Sequence, residues 1–197
     1  WISPVPAGNS GNDKNWIACD QTNGPYKNYI YGVMTPGNIQ RSTDGGVTKT
    51  QVGSFSNSYP GMMVCVGPNV LSGNVSGGCV YVVTNTGSTA YSYNYNFYCS
   101  TNGGTTWTSK SSQAFPGYVG TWTGGRHAIN GTVRTRPYPF ITADNSFGPY
   151  RGRLYLVYAK NTPNVSGAKP DVMCRYSTDQ GTTWSSEVVV NDDPNTQ

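Results

Sequence analysis

Ser177-Thr178-Asp179-Gln180-Gly181-Thr182-Thr183-Trp184 decides how the chain reads, because it recurs. Ser100-Thr101-Asn102-Gly103-Gly104-Thr105-Thr106-Trp107 and Ser42-Thr43-Asp44-Gly45-Gly46-Val47-Thr48-Lys49 are two further copies of it. The shared pattern is S-x-D-x-G-x-T-W, with Asn102 replacing Asp in one copy and Lys49 replacing Trp in another. The spacing suits a tight hairpin. Gly46, Gly104 and Gly181 supply the positive φ that such a turn needs. The side chains of Asp44, Asn102 and Asp179 accept hydrogen bonds from the turn backbone. Ser42, Ser100 and Ser177 brace one side, and Thr48, Thr106 and Thr183 the other. Trp107 and Trp184 are expected to bury their rings against neighbouring strands. Lys49 cannot do so, which predicts a looser first hairpin.

The flanks repeat in the same register. Trp16-Ile17-Ala18-Cys19-Asp20 aligns with Met63-Val64-Cys65-Val66-Gly67 and Phe140-Ile141-Thr142-Ala143-Asp144. Tyr29-Ile30-Tyr31 aligns with Cys79-Val80-Tyr81 and Arg153-Leu154-Tyr155. Ile39-Gln40-Arg41, Phe97-Tyr98-Cys99 and Cys174-Arg175-Tyr176 lead into the three motifs. Each repeat therefore reads as four short strands, with the motif between the third and fourth. The first strand of each is nearly continuously apolar, as expected of a strand covered on both faces.

Composition agrees. The 197 residues include 25 Gly, 13 Pro and 15 Tyr but a single Glu, so the chain is rich in turn formers and poor in helix formers. Aromatic residues make up 13%, which argues against disorder. No apolar run approaches the ~20 residues of a membrane-spanning helix. An all-β protein with many turns remains. Net charge is +4 without any block of basic residues, so no nucleic-acid partner is expected. The five cysteines include no CxxC pair and stand beside one histidine, which disfavours zinc. At most two disulfides fit within the chain. Trp1 is not a start methionine, so a processed or cut chain is expected.

The three motifs resemble Asp boxes, the bacterial neuraminidase repeats of sialidase-like β-propellers. The setting is similar too: strand 1 ends in Asp, then come Gly-Pro-Tyr and an aromatic strand 2, as in secreted bacterial proteins of that class. The resemblance covers about residues 13–193. It implies a propeller of four-stranded antiparallel blades, with blades at about 13–55, 60–114 and 137–193 and an inter-blade insertion at 115–137. It also implies a secreted or cell-surface location. Asp boxes are structural turns away from the sialidase active site and occur in non-enzymatic propellers, so they indicate fold more than activity. Propellers typically close with ~4–8 blades. Further blades of the same polypeptide, or other copies of the chain, are therefore expected partners. The faces around Trp16 and Tyr31 in blade one, and around Phe140 and Tyr155 in blade three, are expected to lie open.

Ligand candidates come from the other end of the blades, where strand 2–3 loops and inter-blade links gather. The link from Trp107 to Phe140 spans 33 positions, against 14 from Lys49 to Met63. Its extra segment holds Tyr118, Trp122, Arg126, His127, Arg134 and Arg136. The blade-two loop at 86–96 adds Tyr91, Tyr93 and Tyr95, and the loop at 159–170 is rich in Asn, Gly and Pro. Aromatic rings beside arginines suit a sugar face and an anionic group, which makes a glycan the expected ligand. A lone histidine such as His127 also fits a structural hydrogen-bonding role. Arg136-Pro137 resembles part of the sialidase Arg-Ile-Pro motif, which implies a carboxylate contact at Arg136.

The chain lacks a complete catalytic set. Sialidases pair a tyrosine nucleophile with a glutamate and use an aspartic acid/base, whereas Glu187 is the only glutamate here and follows the third motif on an outer strand. Asp20 and Asp144 end strand 1 on the Asp-box side. The expected function is thus a glycan-binding or structural module. A fragment of a sialidase-like exo-glycosidase and a subunit of an extracellular fibre or assembly are the alternatives. No cofactor is expected; Asp192-Asp193 could bind calcium but reads first as a solvated turn.

Overall fold

The computed structural model describes residues 13–57, 61–69, 77–87, 93–115, 117–136 and 138–192. Blade one comprises β1 (Asp13–Cys19), β2 (Ile30–Thr35), β3 (Asn38–Ser42) and β4 (Thr50–Ser54). Blade two comprises β5 (Met63–Gly67), β6 (Cys79–Gly87), β7 (Tyr93–Ser100) and β8 (Thr108–Ala114). The insertion carries β9 (Thr121–Thr123), β10 (Arg126–Ile129) and β11 (Val133–Thr135). Blade three comprises β12 (Phe140–Ala143), β13 (Leu154–Asn161), β14 (Pro170–Ser177) and β15 (Val188–Val189). Each blade is an antiparallel meander in sequence order, and the described residues contain no helix. This is a β-propeller architecture with three blades. In blade three the outer strand begins at Val188, four residues beyond Trp184, and is only two residues long.

The hairpin chemistry follows the motif. Ser42, Ser100 and Ser177 Oγ accept from the amides of Gly46, Gly104 and Gly181 at 2.8–2.9 Å. Those glycines have φ of 94°, 84° and 88°, a region where a side chain would be strained. Asp44 and Asp179 accept from the backbone and hydroxyl of Thr48 and Thr183. Asn102 Oδ1 accepts from the Thr106 amide at 2.9 Å, but its Nδ2 donates to Thr106 Oγ1. The asparagine copy thus keeps the turn and reverses one bond. The bonds from Thr48 and Ser42 hold the Asp44 carboxyl down at about 2.

These hairpins also join blades. Trp107 is half-buried, and it reaches back to blade one, where its Nε1 donates to Val52 O at 2.9 Å and its ring meets Phe55 edge-on at 5.3 Å. Arg41 of blade one donates to Gly103 O at 2.7 Å. The next junction repeats the scheme: Trp184 lies 4.4 Å from Phe97, and Ser111 Oγ donates to Gly181 O at 2.5 Å. Lys49 takes the corresponding place in blade one.

Side-chain alternation fixes which residues each junction covers. Tyr31, Val33 and Ile39 of blade one meet Val64, Val66, Val80 and Val82 of blade two in one core cluster. Tyr81, Val83, Tyr95 and Phe97 meet Ile141, Leu154, Leu156 and Tyr158 of blade three in the second. Tyr31, Tyr81 and Tyr155 occupy equivalent positions opposite strand 1 and turn toward the following blade.

That rule corrects two expectations. Tyr31 is fully buried rather than open, because blade two covers it, and half-buried Trp16 packs on the same cluster and meets Phe140 edge-on at 4.8 Å. The open side of blade one carries Ile17 instead, 63% exposed. In blade three the expected face is open, with Phe140 46% exposed. The inner strands likewise differ. β5 is covered on both faces, but β1 and β12 each leave alternate residues in solvent, since only blade two has a described neighbour on each side.

Candidate functional site

The insertion folds as a small antiparallel sheet in the order β11-β10-β9. Gly124-Gly125, with φ of 55° and 78°, forms the two-residue turn between β9 and β10. Asn130 and Gly131, also at positive φ, turn β10 into β11. This sheet was not anticipated from the sequence, although both turn signals are present in it.

The sheet is stitched to the blade-three loop at 162–169. Asn161, at the end of β13, is fully buried. Its Oδ1 accepts from the Gly120 amide and its Nδ2 donates to Gly120 O, both at 2.7 Å. Asn164 Oδ1 accepts from the Tyr118 amide at 2.9 Å, and Ser166 Oγ from the Trp122 amide at 2.9 Å. The two long segments singled out separately in the sequence therefore make one continuous structure.

A cleft of about 400 Å³ lies where this structure meets blade three. Val119, Ile129, Ala159, Pro170 and Val172 give it apolar walls; Arg134, Arg136 and Tyr138 supply polar side chains, and Asp171 lines its edge, with its carboxylate on the Met173 face of the sheet. Tyr158 and Met173 point toward blade two, so their neighbours Ala159 and Val172 point to the other side of the sheet. The cleft consequently opens at the 2–3 end of blade three, on its side away from blade two. Hydrogen bonds from Asn191 and Thr162 hold the Asp171 carboxyl below its ordinary range, so it stays ionised.

The structure divides the sequence candidates. Arg134 and Arg136 share the cleft. Tyr118 and Trp122 lie against His127, with centroids 5.7 and 5.1 Å away, outside it. His127 is 1% exposed and its Nδ1 accepts from the Val119 amide at 3.2 Å, so it supports the loop and does not face a ligand. Arg126 is exposed on β10 and does not line the cleft. Tyr93 opens β7 opposite Gly87, while Tyr91 lies outside the described residues. Tyr95, expected in a loop, is a fully buried core residue paired with Asn85. Sequence reasoning missed Tyr138 and Asp171. Tyr138 stood in plain view beside Arg136-Pro137; Asp171 carried no local signal.

Glu187 has a different setting. Its carboxylate accepts from Tyr158 OH at 2.8 Å, from Lys160 Nζ and from Arg175 Nη2 at 3.1 Å. Arg175 also donates to Tyr158 OH at 2.9 Å and lies over the Phe115 ring of blade two at 4.2 Å. Burial opposes ionisation of Glu187, but the bonds from Lys160 and Tyr158 outweigh it and hold the carboxyl below its ordinary range. Burial pushes the Tyr158 phenol up, well out of reach of a nucleophile's ionisation near neutral pH. A tyrosine–glutamate pair is present, then, but it is pinned within blade three by Lys160 and Arg175. Asp20 is fully buried and bonds Thr22 on the motif side. Asp192 is exposed and Asp193 lies outside the described residues; among the described residues no group of three His, Cys, Asp or Glu is gathered for a metal. No described helix is long and apolar enough to cross a membrane.

No family model matches the chain, and no curated protein matches it in sequence. Solved structures do match in fold. The GH93 α-L-arabinofuranosidase of Fusarium graminearum, in complex with arabinobiose, shares 16% identity at a TM-score of 0.59, over 98% of this chain and 53% of that one. An α-L-arabinanase of Penicillium chrysogenum with arabinobiose shares 17% at 0.58, over 93% and 50%. The chain spans about half the length of these structures. At such identities the likeness establishes the fold alone.

Proposed function

We propose that this chain is a glycan-binding segment of a secreted or cell-surface Asp-box propeller, and that it takes an acidic sugar in the cleft between insertion and blade three. The observation that carries this is the pairing of Arg134 and Arg136 with Tyr138 above apolar walls. A ring face packs on the walls and the phenol, while a carboxylate finds guanidinium donors at exposed Arg134 and half-buried Arg136. Glycans accompany the arabinanase-type structures of similar fold, which supports the ligand class. Calorimetric titration with sialylated or uronic oligosaccharides and with neutral arabino-oligosaccharides tests it. The acidic sugars are expected to bind more tightly. Arg134→Ala should weaken them about 10-fold or more, the value of one charge-assisted hydrogen bond. Equal binding of both classes, or an unchanged affinity in the variant, would contradict the proposal.

The open faces of blades one and three are proposed to be covered in the native protein, by further blades of the same polypeptide or by another copy of the chain. Phe140, Tyr176 and Val188 are exposed on the side of blade three away from blade two, and burying a side chain of that size is worth roughly 1.5–3 kcal/mol. Sedimentation velocity of the 197-residue chain should show an oligomer or aggregation. A stable monomer that melts cooperatively would refute the point.

A further inference from the structure

Three of the five cysteines meet beneath blade three. Cys65 on β5 and Cys99 on β7 both stand opposite Tyr81 on β6, and Cys79 lies two residues before Tyr81. Alternation therefore sends all three thiols to the face of blade two that packs on blade three. Cys79 is fully buried and Cys99 is 3% exposed. Their sulfurs stand 3.0 Å apart, about 1 Å beyond the ~2.05 Å of a disulfide bond. Cys65 and Cys99 share Tyr81 as register partner, so the close approach of the two sulfurs, and not register, singles out the Cys79–Cys99 pair.

We propose that Cys79 and Cys99 form a disulfide in the native protein, tying the second strand of blade two to the third, while Cys65 remains a thiol. The oxidant is a low-molecular-weight disulfide of the oxidised-glutathione class. The Cys79 thiolate attacks one sulfur of that disulfide and expels a thiolate, leaving a mixed disulfide. Cys99 then gives up its proton and attacks the Cys79 sulfur, expelling the second thiolate. Two electrons and two protons pass to the reagent, which leaves as two thiols, and one protein S–S bond remains. The hydrogen bond from Cys99 holds the Cys79 thiol below its ordinary range, and the Lys110 charge acts in the same direction, which suits Cys79 as the attacking sulfur. Since blade three closes this face from solvent, the bond forms before that blade docks and is shielded from reductants afterwards.

The proposal is independent of the glycan reading. The full chain, refolded in a glutathione redox buffer, is alkylated in denaturant, digested without reductant and mapped by mass spectrometry. The expected result is one linked peptide pair joining Cys79 to Cys99, two hydrogens lighter than its reduced parts and resolved by reductant, with Cys65 alkylated. Cys65→Ala should leave that link in place. Cys99→Ala should abolish it and lower the denaturation midpoint of the oxidised protein. Alkylated Cys79 and Cys99 in the wild-type map, or a Cys65–Cys79 link, would overturn the proposal without any need for a variant to fold.

Discussion

Trp107→Ala should destabilise the protein by about 3 kcal/mol, at the lower end of the range for large aromatic truncations because the ring is half-buried. The loss has two parts. The ring fills the junction between blades one and two against Phe55, and its indole N–H satisfies Val52 O. Trp107→Phe keeps most of the packing and forfeits the bond, so it should cost about 1 kcal/mol. Trp184→Ala should cost less than Trp107→Ala, because its indole nitrogen has no hydrogen-bond partner although its ring lies against Phe97. Urea denaturation of the variants checks this order. A Trp107→Ala protein with an unchanged midpoint and lost glycan binding would show that the ring serves a ligand and not the blade junction.

Glu187→Ala is expected to cost about 1–2 kcal/mol, since removing one partner of a partly buried ionic cluster leaves Lys160 and Arg175 without their anion, and solvent screens part of the loss. The Glu187 carboxyl is depressed in the folded state. Its contribution is therefore fully present above the ordinary glutamate range and is lost as pH falls through the lowered folded value. Wild-type stability should fall between about pH 4 and the folded value, while the variant should lose that part of the slope. A variant with the parent's midpoint and acid profile would show that the cluster contributes nothing.

Much of the architecture was legible because the motif is periodic and its chemistry is local. Ser, Asp or Asn, Gly and Thr meet within eight residues, so their hydrogen bonds follow from spacing alone. Facing was harder to read. Tyr31, Tyr81 and Tyr155 are equivalent in register, yet two are covered and one lies at the open side of blade three, because coverage depends on the neighbouring blade and not on the strand. The site was legible only in part. Arg134 and Arg136 stood out as basic residues in a long aromatic link, but their cleft exists because Asn161 grips Gly120 across 41 positions of sequence. No local pattern announces such a contact. His127 drew notice by chemical type and turned out to be a buried support, and Tyr95 drew notice as a loop aromatic and turned out to be core.

The central claim is that the cleft between the insertion and blade three receives an acidic glycan. A structure of the protein with a bound sialylated or uronic oligosaccharide tests it most directly. The account predicts the sugar carboxylate within hydrogen-bonding distance of Arg134 or Arg136, with the ring against Tyr138 and the wall formed by Ala159 and Val172. A sugar seated elsewhere on the blades, with this cleft left to solvent, would contradict it.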